Sequence, residues 1–430
     1  MTLSPTHASR PQEPAPGPAL GAAVMDRLAA LAGFSGDADG LTRLYLTPAH
    51  KAAALAVAGW MEQAGMAAGL DPAGTVVGRY EGARADVPTL LLGSHIDTVR
   101  HAGRYDGNLG VVVAIAAVAA LHAAGVRLPF AIEVLAFGDE EGVRFPVTLT
   151  GSRAVAGTVP PAFLEARDPD GVSLAQALRD FGCDPLALGR AARDRARILG
   201  YLEVHIEQGP VLEAENLPVG IVTAIAGASR LAVTVEGRAG HAGTVPMRLR
   251  RDALAAAAEM VLAIEAAACA TPDLVATVGR IAVPRGAVNV IPERAEFTLD
   301  LRSPSDRVRR EGLAGILRAC EAIAARRGVA MRATASYDEP AGPCAPWLME
   351  AIAEGVGRLG LRPLRLPSGA GHDGLALAGF CPIGMIFVRC AGGLSHSPAE
   401  SVAVEDVDVA TRLLVDVLRH LDPARLPGRA

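Results

Sequence analysis

Aromatic side chains are scarce in this chain of 430 residues, at only 4%. That argues against an aromatic-lined recognition surface. The apolar half of the composition, much of it alanine, points instead to close helix–sheet packing. Basic charge is not in excess either: 41 Lys and Arg face 46 Asp and Glu, a net of -5. A nucleic-acid partner would call for a basic patch, so none is expected. Long hydrophobic runs are missing too. The best candidate, Leu109 to Leu121, stops at His122, short of the roughly 18 apolar residues a membrane-spanning helix needs. No membrane association is expected, and this run reads as a helix buried on all sides. The cysteines, Cys183, Cys269, Cys320, Cys344, Cys381 and Cys390, form no CxxC pair. They read as buried free thiols of a reducing compartment. The first residues are rich in Pro, Ala and Ser and lack the basic start and apolar core of a signal peptide. Residues 1–18 are expected to be a disordered tail and the protein to be soluble and cytoplasmic.

What is present is a chain too long for one simple core, so two domains are expected. Helical spacing from Pro48 to Gly65 is followed by a strand at Thr89 to Gly93, a helix at Leu109 to Ala124 and a strand at Phe130 to Phe137. Strand, long helix and strand imply a parallel crossover and an α/β layer architecture. A different pattern occupies Pro218 to Asp338. Strand Arg230–Glu236, helix Asp252–Ala268, strands Ala276–Val283 and Ala295–Leu301, helix Asp306–Arg327 and strand Val329–Tyr337 follow in order. This is the split βαβ, ferredoxin-like arrangement. After it the α/β character resumes, with a strand at Pro382 to Val388 and a last helix at Val404 to Leu421. The expected division is 19–216 and 337–430 for the two parts of the first domain, with 217–336 inserted between them.

In open α/β sheets functional residues gather beyond the carboxyl ends of strands. Two acidic clusters, GSHID and GDEEG, each directly follow an apolar strand. His95 and Asp97, two apart in an extended segment, point to the same side. Asp97 could then hold the imidazole while its other nitrogen binds a metal. Asp106 precedes Gly107 and a helix-length apolar run. Asp139, Glu140 and Glu141 repel one another unless a cation or a proton intervenes, and Glu140 and Glu141 would face different targets. Glu203, His205 and Glu207 would share one face of a strand. His241, His372 and His396 sit among small residues where a ring can reach a cavity. Taken singly, each also reads as ordinary: a strand-end turn, an Asp-Gly turn, a solvated loop.

Nine stretches decide between these readings: GSHIDTV with GRYDGNLGV, DEEGVRF with TGSRAVAG, EVHIEQGPVLE, GHAGTVPMRLRRDA, NVIPERAEFTLDLR, SGAGHDG and GGLSHSPAE. In this order and over nearly the whole folded chain, the sequence resembles the carbamoylase/allantoate-hydrolase branch of the dinuclear zinc-dependent amidase and exopeptidase family. It departs from the family pattern at Gly240 (where Asn is expected), at Val245 (Thr) and at Gly374 (Ala).

The resemblance implies a metallopeptidase-like mixed-sheet α/β catalytic domain with an inserted ferredoxin-like α+β domain serving as lid and dimerisation domain. Two divalent ions per subunit, Zn or Mn with Co or Ni as alternatives, would be held by His95, Asp106, Glu141, His205 and His396, with Asp106 bridging. Asp97 would orient His95, and Glu140 would be the general base. Gln208, His241, Asn289, Arg302 and His372 would line the substrate pocket, with His241 also stabilising the oxyanion and Arg302 gripping a carboxylate. The implied substrate is a small ureido acid: allantoate, cleaved to ammonia, carbon dioxide and ureidoglycine. N-carbamoyl-L-amino acids are the alternative and β-ureidopropionate the third. A homodimer through the inserted domain is implied as well.

Overall fold

Four segments are buried along their whole length: Thr89–His95, Ala131–Phe137, Ile198–Ile206 and Ile383–Val388. Strands of this kind need cover on both faces, which a parallel sheet with crossover helices supplies. In the computed structural model, which describes residues 20–423, these four lie side by side and parallel. Their order is Ala131–Phe137, Thr89–His95, Ile198–Ile206, Ile383–Val388. They form the centre of a nine-stranded sheet. Val76–Tyr80 and Ala67–Leu70 extend one edge in antiparallel fashion. Val219–Ile225 extends the other, antiparallel to Ile383–Val388 and parallel to Arg365–Ser368.

The helix Asn108–Ala123 shows how the layers close. It is apolar all round and almost wholly buried, because it lies between the central strands and two further helices, Leu20–Ala32 and Val404–His420. A helix enclosed in this way needs no polar face. Among the described residues no helix is long and apolar enough to cross a membrane. The expected tail at 1–18 lies outside the described residues.

The second sheet is antiparallel throughout. Its order is Ile281–Ala282, Arg294–Ser303, Gly227–Glu236, Ala330–Glu339, with Val275–Thr277 also on Arg294–Ser303. Helices Ala253–Cys269 and Asp306–Arg327 cover one face around a separate core containing Val233, Met260, Phe297, Leu299 and Ile316. The opposite face is polar and open, since burial alternates along Arg294–Ser303 and most of Gly227–Glu236. Two details differ from the sequence reading. The expected strand Ala276–Val283 is interrupted at residues 278–280 and forms two short strands. Val219–Ile225, inside the expected insertion 217–336, is a strand of the large sheet, while Tyr337–Glu339 complete the small one. The chain therefore crosses between sheets at Gly227 and again near Ala341. A side chain at Gly227 would come within 2.6 Å of the Ala341 amide nitrogen, so the two crossings pack against each other.

Two family departures prove to be neighbours. A Cβ at Gly240 would meet a methyl of Val245 at 3.1 Å, so the branched residue at 245 covers the space left by the missing side chain. At Gly374 a Cβ would stand 2.7 Å from Ile225 Cδ1, which leaves no room for alanine without movement.

Candidate active site and metal centre

The four parallel strands end at one edge, and each delivers polar residues there. His95 closes Thr89–His95 and His205 is the penultimate residue of Ile198–Ile206. Asp139, Glu140 and Glu141 follow Ala131–Phe137, and His396 lies on the segment after Ile383–Val388. Asp106 sits on the turn before Asn108–Ala123. The backbone is left-handed at Asp139, Gln208 and His396, with φ of 69°, 54° and 54°. Such conformations cost about 1–3 kcal/mol each and cluster at functional sites.

Asp106 is the centre. Its Oδ1 lies 3.1 Å from His205 Nε2 and 3.7 Å from His95 Nε2. Its Oδ2 lies 3.2 Å from His396 Nε2, which is itself 3.6 Å from Glu141 Oε2. Two donor sets thus share one carboxylate: His95, Asp106 and His205 on one side, Asp106, Glu141 and His396 on the other. Within each set the ligand atoms lie within 4.8 Å of one another. Imidazole and carboxylate donors of this kind suit Zn, Mn, Co or Ni. Two further observations favour a cation here. Glu141 Oε1 is buried with no hydrogen-bond partner. The space beside the His95 ring is kept open by Gly107, where any side chain would overlap the imidazole.

Electrostatics agree with this arrangement. Burial holds His95 down to about 4, so its ring is neutral and able to ligate. Burial works against protonation of His205 too, but the hydrogen bond and charge of Asp106 raise it to about 9. Asp106 likewise raises His396 to about 9. Protons are drawn onto those two rings as cations would be. Burial pushes Glu140 well above the usual carboxylate range, with Glu141 adding to it, and lifts Glu141 to about 8.

Asp97 differs from the sequence reading. His95 Nδ1 is 3.0 Å from the main-chain carbonyl of Asp97 but 3.7 Å from its carboxylate. The carboxylate instead accepts from the backbone N–H groups of Glu140 (3.2 Å) and Glu141 (3.3 Å). Asp97 therefore orients the ring through its backbone and fixes the acidic loop through its side chain. Glu207 departs from the expected shared face as well. Its carboxylate caps the short helix Val211–Ala214, accepting from the N–H groups of Val211 and Leu212.

A cavity of about 580 Å³ opens over the donors. Of the expected pocket residues it is lined by Gln208, Arg302 and His372. Gln208 Nε2 donates to Asp106 Oδ2 (2.8 Å), and buried His372 packs edge-on to His205, with ring centroids 4.3 Å apart. His241 and Asn289 are not among its lining residues. His241 lies on the two-stranded piece Gly240–His241 with Val290–Ile291, and Asn289 directly precedes its second strand, accepting at its carbonyl from Ala242 N–H (2.9 Å).

Three residues that the sequence reading leaves unassigned support the centre. Glu400 accepts from the amides of Tyr105 (2.7 Å) and Asp106 (3.2 Å). Ser395 Oγ lies 2.7 Å from Asp106 Oδ2 and 2.8 Å from Glu400 Oε2. Arg43, fully buried, donates to the carbonyls of Leu31, Phe34 and Ile96 and to Asn108 Oδ1. It thereby ties the end of the His95 strand to the helix that follows Asp106. All six cysteines are unpaired, and Cys269 is exposed rather than buried.

Residues 91–420 match the family described as Peptidase family M20/M25/M40, and the chain belongs to that family. It is 46% identical to an N-carbamoyl-L-amino acid amidohydrolase of Geobacillus stearothermophilus over 382 residues, covering 89% of this chain and 93% of the relative. It is 40% identical to an allantoate deiminase of Arabidopsis thaliana over 424 residues, covering 91% and 81%. A crystal structure of a hydantoinase/carbamoylase family amidase from Burkholderia multivorans superposes with a TM-score of 0.87 at 32% identity, covering 93% and 97%. The fold, the donor groups and these relatives define the class: a hydrolase acting on non-peptide C–N bonds.

Proposed function

We propose that this protein hydrolyses the ureido C–N bond of allantoate, consuming one water and releasing ammonia and carbon dioxide with ureidoglycine as the remaining product. The observation that carries the reading is the Asp106-centred pair of donor sets opening into the same cavity as Glu140 and Arg302. The allantoate assignment itself rests on the resemblance of EEGVRFP and IFVRCAGGLSHSPAE to allantoate amidohydrolases. A second reading, hydrolysis of N-carbamoyl-L-amino acids, is favoured by the 46% identical relative and uses the same residues.

Two divalent ions would be held by His95, Asp106, Glu141, His205 and His396. When bound, they supply Lewis-acid polarisation of a carbonyl and an increase in the acidity of water. Everything else belongs to the chain. Glu140, with its carboxylate 4.0 Å from His95 Nε2, takes a proton from the attacking water and returns it to the leaving nitrogen. Burial and the neighbouring Glu141 favour its protonated form, so it can carry that proton between the two steps. Asp97 keeps the Glu140 backbone in place. Arg302 binds the substrate carboxylate. Its Nε and Nη2 engage Asp300 and one Nη1 hydrogen goes to the Gly369 carbonyl. Of its five N–H donors, two make none of the described hydrogen bonds and can meet a carboxylate.

His241 and Asn289 reach a substrate by closure of the small domain or from a second subunit, and a homodimer through that domain accommodates the latter. The unpaired cysteines favour a reducing compartment, the cytoplasm. The test is ammonia release by the metal-loaded protein with allantoate and a panel of N-carbamoyl-L-amino acids side by side. Preference for allantoate supports the first reading, preference for the panel replaces it with the second, and inactivity on all of them refutes both.

A further inference from the structure

Arg302 is not the only guanidinium on the cavity wall. Arg230, which none of the motifs singled out, lines the same cavity. Register explains how it arrives there. On the open face of the small sheet, Asp300, Arg230 and Tyr337 stand opposite one another on three adjacent strands. The neighbouring row runs Arg302, Ala228 and Glu339. Arg230 and Arg302 are therefore diagonal neighbours, the relation in which long side chains come within reach of each other. Ala228, directly opposite Arg302, adds no bulk between them.

The two arginines share one carboxylate. Asp300 accepts from Arg302 Nε (2.8 Å) and Nη2 (3.0 Å), and from Arg230 Nε (3.0 Å). The Arg230 guanidinium also stacks on the Tyr337 ring, 4.8 Å from its centroid. Ring and carboxylate hold its plane, while its two terminal nitrogens make none of the described hydrogen bonds. The two guanidiniums thus flank a single negative charge, and Glu339 on the next row is paired with Arg153 (3.1 Å), so this cluster keeps one excess positive charge on the cavity wall.

Resting on the proposed ureido-acid site, we propose that Arg230 is a specificity-determining residue which reads a second oxygen acceptor on the side arm of the substrate, while Arg302 takes the carboxylate. The arm it suits is a second ureido group or a second carboxylate. An aliphatic arm leaves the Arg230 fork without a partner and obliges it to give up water for nothing. This provides a physical basis for separating allantoate, with its second ureido arm, from carbamoylated aliphatic amino acids on one catalytic centre.

The experiment compares wild type, Arg230→Met and Arg302→Met on allantoate, N-carbamoyl-L-glutamate and N-carbamoyl-L-leucine. It reads KM, or the competitive inhibition constant for an acid that is not turned over. Arg230→Met is expected to weaken both acceptor-bearing acids at least tenfold relative to the leucine derivative, with kcat changed far less than KM. Arg302→Met is expected to weaken all three alike. Arg230→Lys should recover part of the loss for the glutamate derivative, and Arg230→Gln, which keeps a donor, serves should the methionine variant not fold. Equal shifts across the three acids in the Arg230 variants would reduce Arg230 to a prop for Asp300 and overturn the inference alone. A wild-type protein that binds none of them would overturn the proposed function and this inference together.

Discussion

Asp97→Asn is the most discriminating single change at the centre. The native carboxylate accepts from two backbone N–H groups, those of Glu140 and Glu141, at 3.2 and 3.3 Å. Asparagine keeps one acceptor oxygen and places an NH2 against the other N–H. At least one charge-assisted hydrogen bond is lost, worth roughly 1.5–3 kcal/mol, and two donors are set face to face. The loop must then move. A displacement of about 1 Å at a catalytic group typically costs on the order of a hundredfold in rate, so kcat should fall about a hundredfold or more. His95 keeps its hold on the Asp97 main-chain carbonyl at 3.0 Å, so bound metal should change little. Ammonia release and metal content, measured on the same preparation, separate the two effects. Turnover within about threefold of wild type would refute the role given to the carboxylate. Loss of metal ahead of turnover would restore the carboxylate–imidazole pairing that the 3.7 Å separation argues against.

The same geometry sets four further outcomes. Glu140→Gln should retain its metal and lose roughly 10²- to 10⁴-fold in kcat, the range for a positioned acid–base group, as steady-state kinetics with metal analysis will show. Gly107→Ala, at φ 65° and against the His95 ring, should lose metal affinity without unfolding the domain, which equilibrium dialysis measures. Arg43→Met leaves the Leu31, Phe34 and Ile96 carbonyls short of donors in a buried site and should cost about 3–5 kcal/mol in denaturant unfolding. Buried His50, stacked on Phe181, is held down to about 3 by burial, reinforced by Arg43. The unfolded state, with a histidine near 6.5, binds the proton first. Stability from this group is therefore complete well above pH 6.5 and is lost as pH falls toward 3, by on the order of 5 kcal/mol. Chemical denaturation between pH 7.5 and 4.5 should show the decline, flattened in His50→Phe.

The parts of the molecule legible in the sequence are those with local periodicity. The buried strands at Thr89 and Ala131 and the helix at Asn108 stand out because both faces of each are covered, which leaves unbroken apolar runs. The ligand candidates are visible for a related reason, since several acids and imidazoles gather directly beyond such runs. The residues that escape a sequence reading are held by distance. Glu400 reaches Asp106 from 294 residues away, and Arg43 reaches Asn108 across 65. Glu400 closes the GGLSHSPAE stretch, but neither pairing leaves a periodic or local trace. Val219–Ile225 reads from sequence as part of the inserted domain because it runs almost directly into Gly227–Glu236, the central strand of the small sheet. Pairing with Ile383–Val388 and Arg365–Ser368, both distant in sequence, decides its place. The Asp97 carboxylate is misread because side-chain direction along a strand does not reveal which of two acceptors on one residue a ring will choose.

As proposed here, Asp106 joins two cation sites into one hydrolytic centre for ureido acids. The most direct measurement is a titration of chelator-treated protein with Mn or Zn, counting bound ions per chain while following ammonia release from allantoate. Two ions per chain are expected, with release appearing as the second binds, and no more than one ion and no release in Asp106→Asn. A single ion at full activity, or an Asp106→Asn variant that still binds two and turns over, would contradict it.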